Sequence, residues 1–359
     1  MKGSWLHHKA FRWPVGSGLL LLALAGPTMA SLATISGTVK VPDGYSQDQI
    51  TVTASDANNH LFRVEADDSD GTYTLDGLAA GTYTLTVQAK GSETPPIPNV
   101  VLTEGQTLTK DFTLTAAKPV CFVKSAAPIP LEDDINSASF ADAPDIHVDS
   151  VANLIEPVLD LPVLNQWGGP ATAGGRFRMK YSSAGIHLAA DITYKVVGVN
   201  LAPPNKSYLG NAIEFDFQND PYDPEREKFD ADHDWQFVVG LGETPQWVLH
   251  RAHSVDQPML NGQPEPVSKH ILIKDRPNKD GQLVRIDFPW ALFLKDDETP
   301  IGPPQDNDLG AAELAVDQSS PESTKDAPKS LYQLTWSGLD TANDQPNAMR
   351  PIQFCLQAP

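Results

Sequence analysis

Cysteine and basic residues are both scarce in this chain. Only Cys121 and Cys355 occur among its 359 residues, and two cysteines so far apart do not form a zinc site. Lysine and arginine number 26 against 46 aspartate and glutamate residues, which gives a net charge of −20 at pH 7. Such a surface repels nucleic acid and anionic membrane, so neither is expected as a partner. The negative charge therefore indicates either a role in solubility or the binding of cations.

Long apolar segments and amphipathic helices are missing after the first 30 residues. No later stretch approaches the roughly 18 apolar residues of a membrane-spanning helix, so membrane insertion is not expected. The 31 prolines favour loops and strand edges over long helices. These absences exclude a helical protein and predict an all-β fold.

The first 30 residues have the layout of a secretory signal peptide. Lys2, Lys9 and Arg12 form a basic start, residues 15–25 are apolar, and small residues precede a cleavage site after Ala30. No cysteine follows that could carry a lipid anchor. We expect this segment to be removed on export and the protein to be periplasmic or secreted.

Export would bring the two cysteines into an oxidising compartment. Cys121 lies in the run VCFV and Cys355 in IQFCL, which are short, apolar and strand-like. A disulfide between them would join the first and last strands of one domain. Two buried free thiols are the alternative.

Residues 34–116 are predicted to form a small β-sandwich. Short runs rich in threonine, valine and tyrosine are separated by glycine, aspartate and asparagine turns. The pentad GTYTL occurs twice, at 71–75 and 81–85, and each copy places its tyrosine and leucine on one face. His60 is the only histidine in this domain, and no chemistry is expected there.

Residues 120–357 are predicted to form a larger antiparallel β-sandwich, so the fold class is all-β with two sandwiches in tandem. The alternation of apolar and polar residues is clearest at 186–192 and 283–288. The predicted strands are 145–149, 176–181, 186–194, 211–218, 235–240, 246–251, 269–274, 282–288, 331–336 and 352–356. Residues 296–330 are rich in aspartate, proline and serine and are predicted to form an exposed, mobile loop.

The segment from Tyr208 to Trp235 is the most informative. Its first half is a strand whose apolar set and polar set alternate. These are Ile213, Phe215 and Phe217 on one face and Glu214, Asp216 and Gln218 on the other. Two carboxylates and an amide on one face suit the binding of polyol hydroxyls, and an ordinary solvent-facing strand is the alternative.

The second half of that segment is an acidic loop. Asp230, Asp232 and Asp234 have a D-x-D-x-D spacing, which points hard oxygen ligands at one centre as Ca²⁺ prefers. The loop lacks the glycine and the distal glutamate of an EF-hand. A calcium site at these three aspartates is one prediction, and a solvated acidic loop is the alternative.

The sequence shows no catalytic set. Glu214 and Asp216 are neighbours on one strand face without an identified opposing carboxyl, whereas glycosidases place two carboxyls on either side of the scissile bond. No Ser–His–Asp set, zinc spacing or nucleotide-binding motif is recognised. We therefore expect a non-catalytic protein.

The first domain resembles a known family. The run DGLAAGTYTLTV at 76–87 is similar to the carboxypeptidase regulatory-like family of prealbumin-type sandwiches, which pair a Gly-Leu-x-x-Gly turn with a tyrosine-bearing strand. The resemblance covers most of 34–116. It implies a spacer or stability module without chemistry of its own.

The second domain contains an ordered series of seven motifs across 130–357. They are LEDDINSASFADAPDIHV, GIHLAADI, GNAIEFDFQND, DHDWQFVV, VRIDFPWALF, YQLTWSG and IQFCL. In this order they resemble the family 9 carbohydrate-binding modules, which share a DOMON-like sandwich. The resemblance implies that the ligand is a poly- or oligosaccharide.

The resemblance also implies a site. In the family, an aromatic residue six positions before the strand glutamate forms half of a sugar-stacking clamp, and Tyr208 and Glu214 keep that spacing. The family's arginine aligns with Val238 and its second clamp tryptophan aligns near Gln345, so half of the clamp is missing or moved. Trp167, which lies in a glycine-rich loop, or Trp247 could supply the second ring.

These features predict an exported carbohydrate-binding protein in which Tyr208 stacks on the sugar. Glu214, Asp216 and Gln218 would accept or donate hydrogen bonds to its hydroxyls. A structural or interaction protein of the cell envelope is the alternative. A haem-binding module of the DOMON type, with Met179 and His187 as axial ligands, is a further one.

Overall fold

The computed structural model of the protein describes residues 31–155, 167–194, 200–242, 245–251, 269–320, 322–328, 330–339 and 345–357. The signal peptide predicted at residues 1–30 lies outside these ranges. Within them, no helix has the length and apolar character needed to cross a bilayer.

The N-terminal unit, all of which is described from Ala33 to Ala116, consists of ten short strands. They are β1 (Ala33–Lys40), β2 (Thr51–Asp56), β3 (Leu61–Glu65), β4 (Thr72–Leu78), β5 (Gly81–Gln88), β6 (Ser92–Glu93), β7 (Ile97–Leu102), β8 (Thr107–Thr109), β9 (Phe112–Thr113) and β10 (Thr115–Ala116). One sheet has the order β4-β1-β8 with β9 also on β1, a second has the order β3-β2-β5-β7, and β6 pairs with β10.

The two copies of GTYTL lie in opposite sheets of this unit. The first lies in β4 and the second in β5, and both contribute to one apolar core. Tyr73 and Leu75 of the first copy and Tyr83 and Leu85 of the second are all buried there. The apolar face predicted for each copy is therefore confirmed, and the repeat provides both sides of the core.

The larger unit contains twelve strands within the described residues. They are β11 (Val120–Lys124), β12 (Ile146–Val148), β13 (Ala173–Tyr181), β14 (Gly185–Tyr194), β15 (Ala212–Gln218), β16 (Asp234–Gly240), β17 (Gln246–Arg251), β18 (Ile271–Asp275), β19 (Gly281–Pro289), β20 (Leu309–Ser319), β21 (Ser330–Thr335) and β22 (Arg350–Cys355). Four described 3-10 helices connect them, at Ala138–Phe140, Pro204–Leu209, Trp290–Leu292 and Pro346–Ala348.

These strands form one sheet that folds over on itself. Its order is β17-β16-β15-β20-β22-β11-β13-β14-β19-β18, with β12 on β13 and β21 on β20. The two halves meet at a shared core: the ring of Phe288 in β19 lies 5.0 Å from that of Phe215 and 4.6 Å from that of Phe237. The predicted all-β fold class is confirmed.

The first and last strands of the unit are neighbours in the middle of the sheet. β11 runs parallel to β22 on one side and to β13 on the other. Cys121 in β11 and Cys355 in β22 form a disulfide with their Cα atoms 5.8 Å apart. The disulfide prediction is confirmed, and it excludes the alternative of two free thiols.

Each of the ten strands predicted for this unit overlaps an observed strand, but the prediction for 296–330 is wrong. Residues 309–319 form β20, and every residue after Leu309 in that strand is buried. The sequence LGAAELAVDQS does not predict a strand, because alanine and carboxylate residues are weak strand formers. Its small alanines fit a strand that pairs with β15, β21 and β22 in the middle of the sheet.

The two units contact each other directly. Leu61 of β3 is buried in the core of the larger unit, and the Nη2 atom of Arg63 donates to the carbonyl oxygen of Leu154 at 2.6 Å. The guanidinium of Arg350 pairs with Glu93 at 2.7 Å. The N-terminal unit is therefore packed against the larger one by both apolar and charged contacts.

Removing the disulfide is expected to destabilise the protein measurably. The bridge links residues 234 positions apart, and cross-links over long loops restrict the unfolded chain most. We expect the double variant Cys121→Ala/Cys355→Ala to lose about 2–5 kcal/mol of unfolding free energy in urea titrations. Under strong reductant the wild type should approach the variant, and equal stability under oxidising conditions would contradict the expectation.

Candidate functional site

The polar side chains of β15 face away from the shared core. Phe215 and Phe217 lie in the core, whereas Glu214, Asp216 and Gln218 point to the outer face of the sheet because strand residues alternate. That outer face is nevertheless shielded from solvent, since Glu214 is 3% exposed and Asp216 and Gln218 are each 1% exposed. The alternative of an ordinary solvent-facing strand therefore does not describe β15.

Neighbouring strands extend this polar row. β20 places Glu313 directly opposite Asp216, and it places Asp317 diagonally beside Glu214. β16 contributes a glutamine opposite Asp216, and β21 contributes one opposite Asp317. We call the whole group the acidic face; it consists of Glu214, Asp216, Gln218, Gln236, Glu313, Asp317 and Gln333. The opposing carboxyls that the sequence did not reveal are supplied by β20.

Hydrogen bonds tie Glu214 to two neighbours on this face. Its Oε2 accepts a hydrogen bond from Nε2 of Gln236 at 3.2 Å, and its Oε1 accepts one from Nε2 of Gln333 at 3.5 Å. The carboxyl of Asp317 lies diagonally beside Glu214, and both carboxyl oxygens of Asp317 are buried. Glu313 is held differently, because its Oε1 accepts from the backbone N–H groups of Leu314 and Ser337 at 3.0 and 3.1 Å.

Burial changes the protonation of these carboxyls. Removal from water raises the pKa of Glu214 to about 7 and that of Glu313 to about 7. Burial also raises the pKa values of Asp216 and Asp317 above their usual range, and the negative charge of Glu214 raises both further. Near neutral pH the acidic face thus holds neutral and ionised carboxyls together, which gives it hydrogen-bond donors as well as acceptors.

Gln218 ends the row at the C-terminal end of β15. Its Nε2 and Oε1 atoms are buried and have no hydrogen-bond partner among the described residues. Buried side-chain amides in folded proteins are nearly always hydrogen-bonded. This amide is therefore available to a ligand group or to ordered water.

Tyr208 lies at the opposite end of the row. It belongs to the 3-10 helix Pro204–Leu209, which packs against β15, β16, β17 and β20 just before β15 begins. Its side chain is 39% exposed, one of the few large apolar surfaces left open in the described part of the chain. Along the chain, Tyr208 precedes Glu214 by six residues, so its helix leads into the Glu214 end of β15.

The tryptophans considered as a second stacking ring are both buried. Trp167 is 2% exposed, and its Nε1 atom donates to the carbonyl oxygen of Ala173 at 3.3 Å. Trp247 is 3% exposed and stacks on His270 with ring centroids 5.4 Å apart. Both rings therefore pack into the core of the larger unit rather than at its surface.

The three loop aspartates contact different partners. Asp234 pairs with Arg226, which also bridges to Asp220 at 2.9 Å. Asp230 accepts from the backbone N–H of Asp232 at 2.7 Å, and Asp232 accepts from that of Asp296 at 2.7 Å. Among the described residues, no group of three or more potential ligands converges on a metal position. A calcium ion at Asp230, Asp232 and Asp234 stays a prediction.

Met179 and His187 do not face each other. Met179 is buried in the core of the sheet, where it lies opposite Leu188 of β14. His187 is the residue before Leu188 in β14, so its side chain points to the outer face. Two side chains on opposite faces cannot ligate one haem iron, so the haem interpretation is not supported by this geometry.

One comparison with known proteins identifies a family for the N-terminal unit. Residues 34–115 match the family model of the carboxypeptidase regulatory-like domain, which confirms the resemblance of that segment. None of the curated proteins matches the chain significantly.

Solved structures similar to the chain include a family 9 carbohydrate-binding module. That module, from Caldicellulosiruptor kristjanssonii in complex with cellotriose, has 11% identity and a TM-score of 0.40, over 66% of this chain and 94% of that one. A protein from Bacteroides uniformis proposed to bind carbohydrate has 12% identity and a TM-score of 0.43, over 67% and 100%. At these scores the likeness does not assign a ligand, and the case for one has to come from the residues of this chain.

The raised pKa values predict that stability falls as pH rises through neutrality. The folded state keeps Glu313 protonated up to a pKa of about 7, whereas an unfolded glutamate ionises near its ordinary value of 4.5. Between these two values the folded state binds more protons, so its unfolding free energy decreases with pH. Glu313→Gln removes this dependence, and its amide oxygen can keep the backbone hydrogen bonds of Oε1.

We therefore expect Glu313→Gln to gain about 1–3 kcal/mol of unfolding free energy relative to the wild type between pH 5 and pH 8. Urea titrations of both proteins at the two pH values measure the difference. The exposed Glu225→Gln, located in the acidic loop, serves as the control and should show no such gain. Parallel pH curves for Glu313→Gln and the wild type would contradict the buried-carboxyl assignment.

Proposed function

We propose that the protein is an exported carbohydrate-binding protein that holds a poly- or oligosaccharide against Tyr208 and the acidic face. The observation that carries this proposal is the row of carboxyl and amide side chains that begins in β15, the strand that follows the helix bearing the exposed ring of Tyr208. Aromatic rings supply an apolar face for stacking, and the polar groups beside them fix the orientation of a ligand. Sugars offer apolar ring faces and hydroxyl groups in close proximity, which matches both features.

Hydroxyl groups suit this face because they donate and accept hydrogen bonds at once. Glu214, with a pKa of about 7, needs a donor in its ionised form and an acceptor in its neutral form, a neutral carboxyl of Asp317 needs an acceptor, and the amide of Gln218 can use both. A metal cation would satisfy only the ionised groups. It would also have to displace the protons that burial retains on these carboxyls.

The order of contacts follows from the geometry of β15. A sugar stacked on Tyr208 lies at the end of the strand where Glu214 is the first outward carboxyl. Gln236 and Gln333 are the amides that donate to this carboxyl. Asp216 and Gln218 lie further along the buried row and would be reached by a ligand that enters it.

Two features support export and a modular organisation. The layout of residues 1–30 is that of a signal peptide, and the Cys121–Cys355 disulfide suits an oxidising compartment. The N-terminal unit, which matches the carboxypeptidase regulatory-like family model, would serve as a spacer or stability module.

The proposal is tested by glycan binding to the wild type and to two site variants. A glycan array identifies the ligand, and isothermal titration calorimetry with that glycan measures the affinity. We expect Tyr208→Ala to weaken binding about 10-fold through loss of stacking. Glu214→Gln should weaken it by a similar factor, because an amide replaces a charged acceptor with a donor.

Matched controls separate binding from folding. Tyr208→Phe keeps the ring and should bind nearly as well as the wild type. Glu225→Gln makes the same charge change in an exposed loop and should leave the affinity unchanged. Binding to no glycan on the array, or equal weakening by Glu214→Gln and Glu225→Gln, would contradict the proposal. In that case the interpretation as a structural protein of the cell envelope would be preferred.

A further inference from the structure

A serine, a histidine and an aspartate form a hydrogen-bonded series at one end of the β13–β14 hairpin. The Oγ atom of Ser182 lies 2.8 Å from Nε2 of His187. The Nδ1 atom of the same ring lies 2.5 Å from Oδ1 of Asp287. Asp287 belongs to β19 and lies 100 positions after His187, so the set is not visible as a motif along the chain.

The hydrogen bonds define the direction of this series. Nδ1 of His187 lies 2.5 Å from Oδ1 of Asp287 and 3.3 Å from Nη2 of Arg285. The shorter contact to the carboxylate oxygen favours a proton on Nδ1, which leaves Nε2 as the acceptor for the hydroxyl of Ser182. The Oγ atom of Ser182 in turn accepts from the backbone N–H of Ala184 at 3.1 Å, so its own hydrogen is directed at Nε2. This is the arrangement in which an imidazole removes a proton from a serine hydroxyl.

Arg285 keeps the aspartate ionised. Its Nη2 atom lies 2.7 Å from Oδ1 of Asp287, and its guanidinium is buried over the ring of Phe140 at 5.1 Å. Burial alone would raise the pKa of Asp287, but the hydrogen bond from His187 and the charge of Arg285 together hold it below its ordinary value. An ionised Asp287 fixes the tautomer of His187 and stabilises an imidazolium when one forms.

The series opens onto a cavity. Ser182, His187 and Asp287 line a space of about 680 Å³ that is also bounded by Lys124, Ile129 and Leu356. The lining therefore offers apolar surface for a small acyl or alkyl group and one lysine for a developing negative charge. A structural cluster needs no such adjoining space.

This cavity is separate from the acidic face. His187 and Asp287 point outward from β14 and β19, whereas Glu214 points outward from β15 in the half of the sheet across the core. The two groups of residues thus lie on opposite outer faces of the folded sheet. A reaction at Ser182 therefore does not require a sugar bound at Tyr208.

We propose that Ser182 is a nucleophile, His187 its general base and Asp287 a positioning residue in a site that hydrolyses esters of short carboxylic acids. Ser182 and His187 touch the reacting atoms, while Asp287 acts through the imidazole.

The reaction uses water as its only co-reactant. The Oγ–H bond of Ser182 breaks as Oγ bonds to the ester carbonyl carbon, and the proton moves to Nε2 of His187. The carbon–oxygen bond to the alcohol then breaks, and His187 returns the proton to the departing alkoxide. Water then attacks the acyl carbon while Nε2 of His187 takes one of its protons. The bond between that carbon and Oγ breaks, and His187 returns the proton to Oγ, which releases the carboxylic acid and restores Ser182.

Covalent labelling of the full-length wild type tests the nucleophile directly. A fluorophosphonate should add one phosphonyl group per chain with loss of fluoride, and peptide mass spectrometry should place it on Ser182 rather than on the adjacent Ser183. Ser182→Ala and His187→Gln should not be labelled. Ser69→Ala, which alters a serine in a turn of the N-terminal unit, should be labelled like the wild type.

Hydrolysis of 4-nitrophenyl acetate gives a second readout. We expect kcat to fall about 100-fold or more in His187→Gln, with a smaller change in KM. Asp287→Asn should also lower kcat, because an amide can present the wrong hydrogen-bonding group to Nδ1.

The outcomes are decisive in both directions. Labelling of Ser182 that is lost in His187→Gln supports the proposal even if Ser182→Ala fails to fold. No labelling of the folded wild type, labelling at another serine, or equal hydrolysis by wild type and His187→Gln would overturn it. The three residues would then be a polar cluster that fixes the hairpin.

Discussion

β15 and β20 pair in a register that places Phe215 opposite Leu314 and Asp216 opposite Glu313. Because side chains alternate along both strands, this single pairing sends one set of apolar groups into the core and one set of carboxyls to the outer face. A slip by one residue would exchange the two sets and bury charge among the phenylalanines. The register therefore determines both the core and the acidic face, and the position of Tyr208 before β15 follows from it.

Holding several carboxyls out of water on that outer face opposes folding. Ionised carboxylates are costly to bury, so the fold retains protons on them, as the raised pKa values of Glu214 and Glu313 show. The aromatic core on the inner face acts in the opposite direction. The ring of Phe237 lies 4.6 Å from Phe288 and 5.1 Å from Phe293, and aromatic pairs of this kind add to the gain from apolar burial. Apolar burial in this large core, which both halves of the sheet share, thus offsets the cost of burying the polar row. A small sandwich would bury too little apolar surface to do so.

The sequence predicted those strands in which apolar and polar residues alternate. The alternation in β14, β15 and β19 predicted strands that the structure contains, and the two cysteines predicted the link between β11 and β22. β20 escaped prediction because Ala311, Ala312 and Ala315 carry little apolar signal, although their small size is what a crowded central strand requires. The opposing carboxyl at Glu313 escaped with it, since a partner across two strands is fixed by register and not by spacing along the chain. The burial of Trp167 could not be predicted either, because nearby glycines indicate a loop but do not show whether the ring points into the core or to solvent.

Register also explains how strand residues are paired in both candidate sites, although Tyr208 lies in a 3-10 helix and Ser182 lies between β13 and β14. Asp287 lies opposite His187 in the β14–β19 pair, as Glu313 lies opposite Asp216 in the β15–β20 pair. In each case one strand supplies a polar outward residue, the neighbouring strand supplies its partner, and the shared core holds the two strands at a fixed separation. Groups held this way are positioned by the packing of the whole sheet, so their geometry is set before any ligand arrives. The same constraint limits what each face can do: the β15–β20 face combines carboxyls with amides and suits hydrogen bonding to hydroxyls, whereas the β14–β19 face combines an imidazole with one carboxylate and a hydroxyl and suits proton transfer.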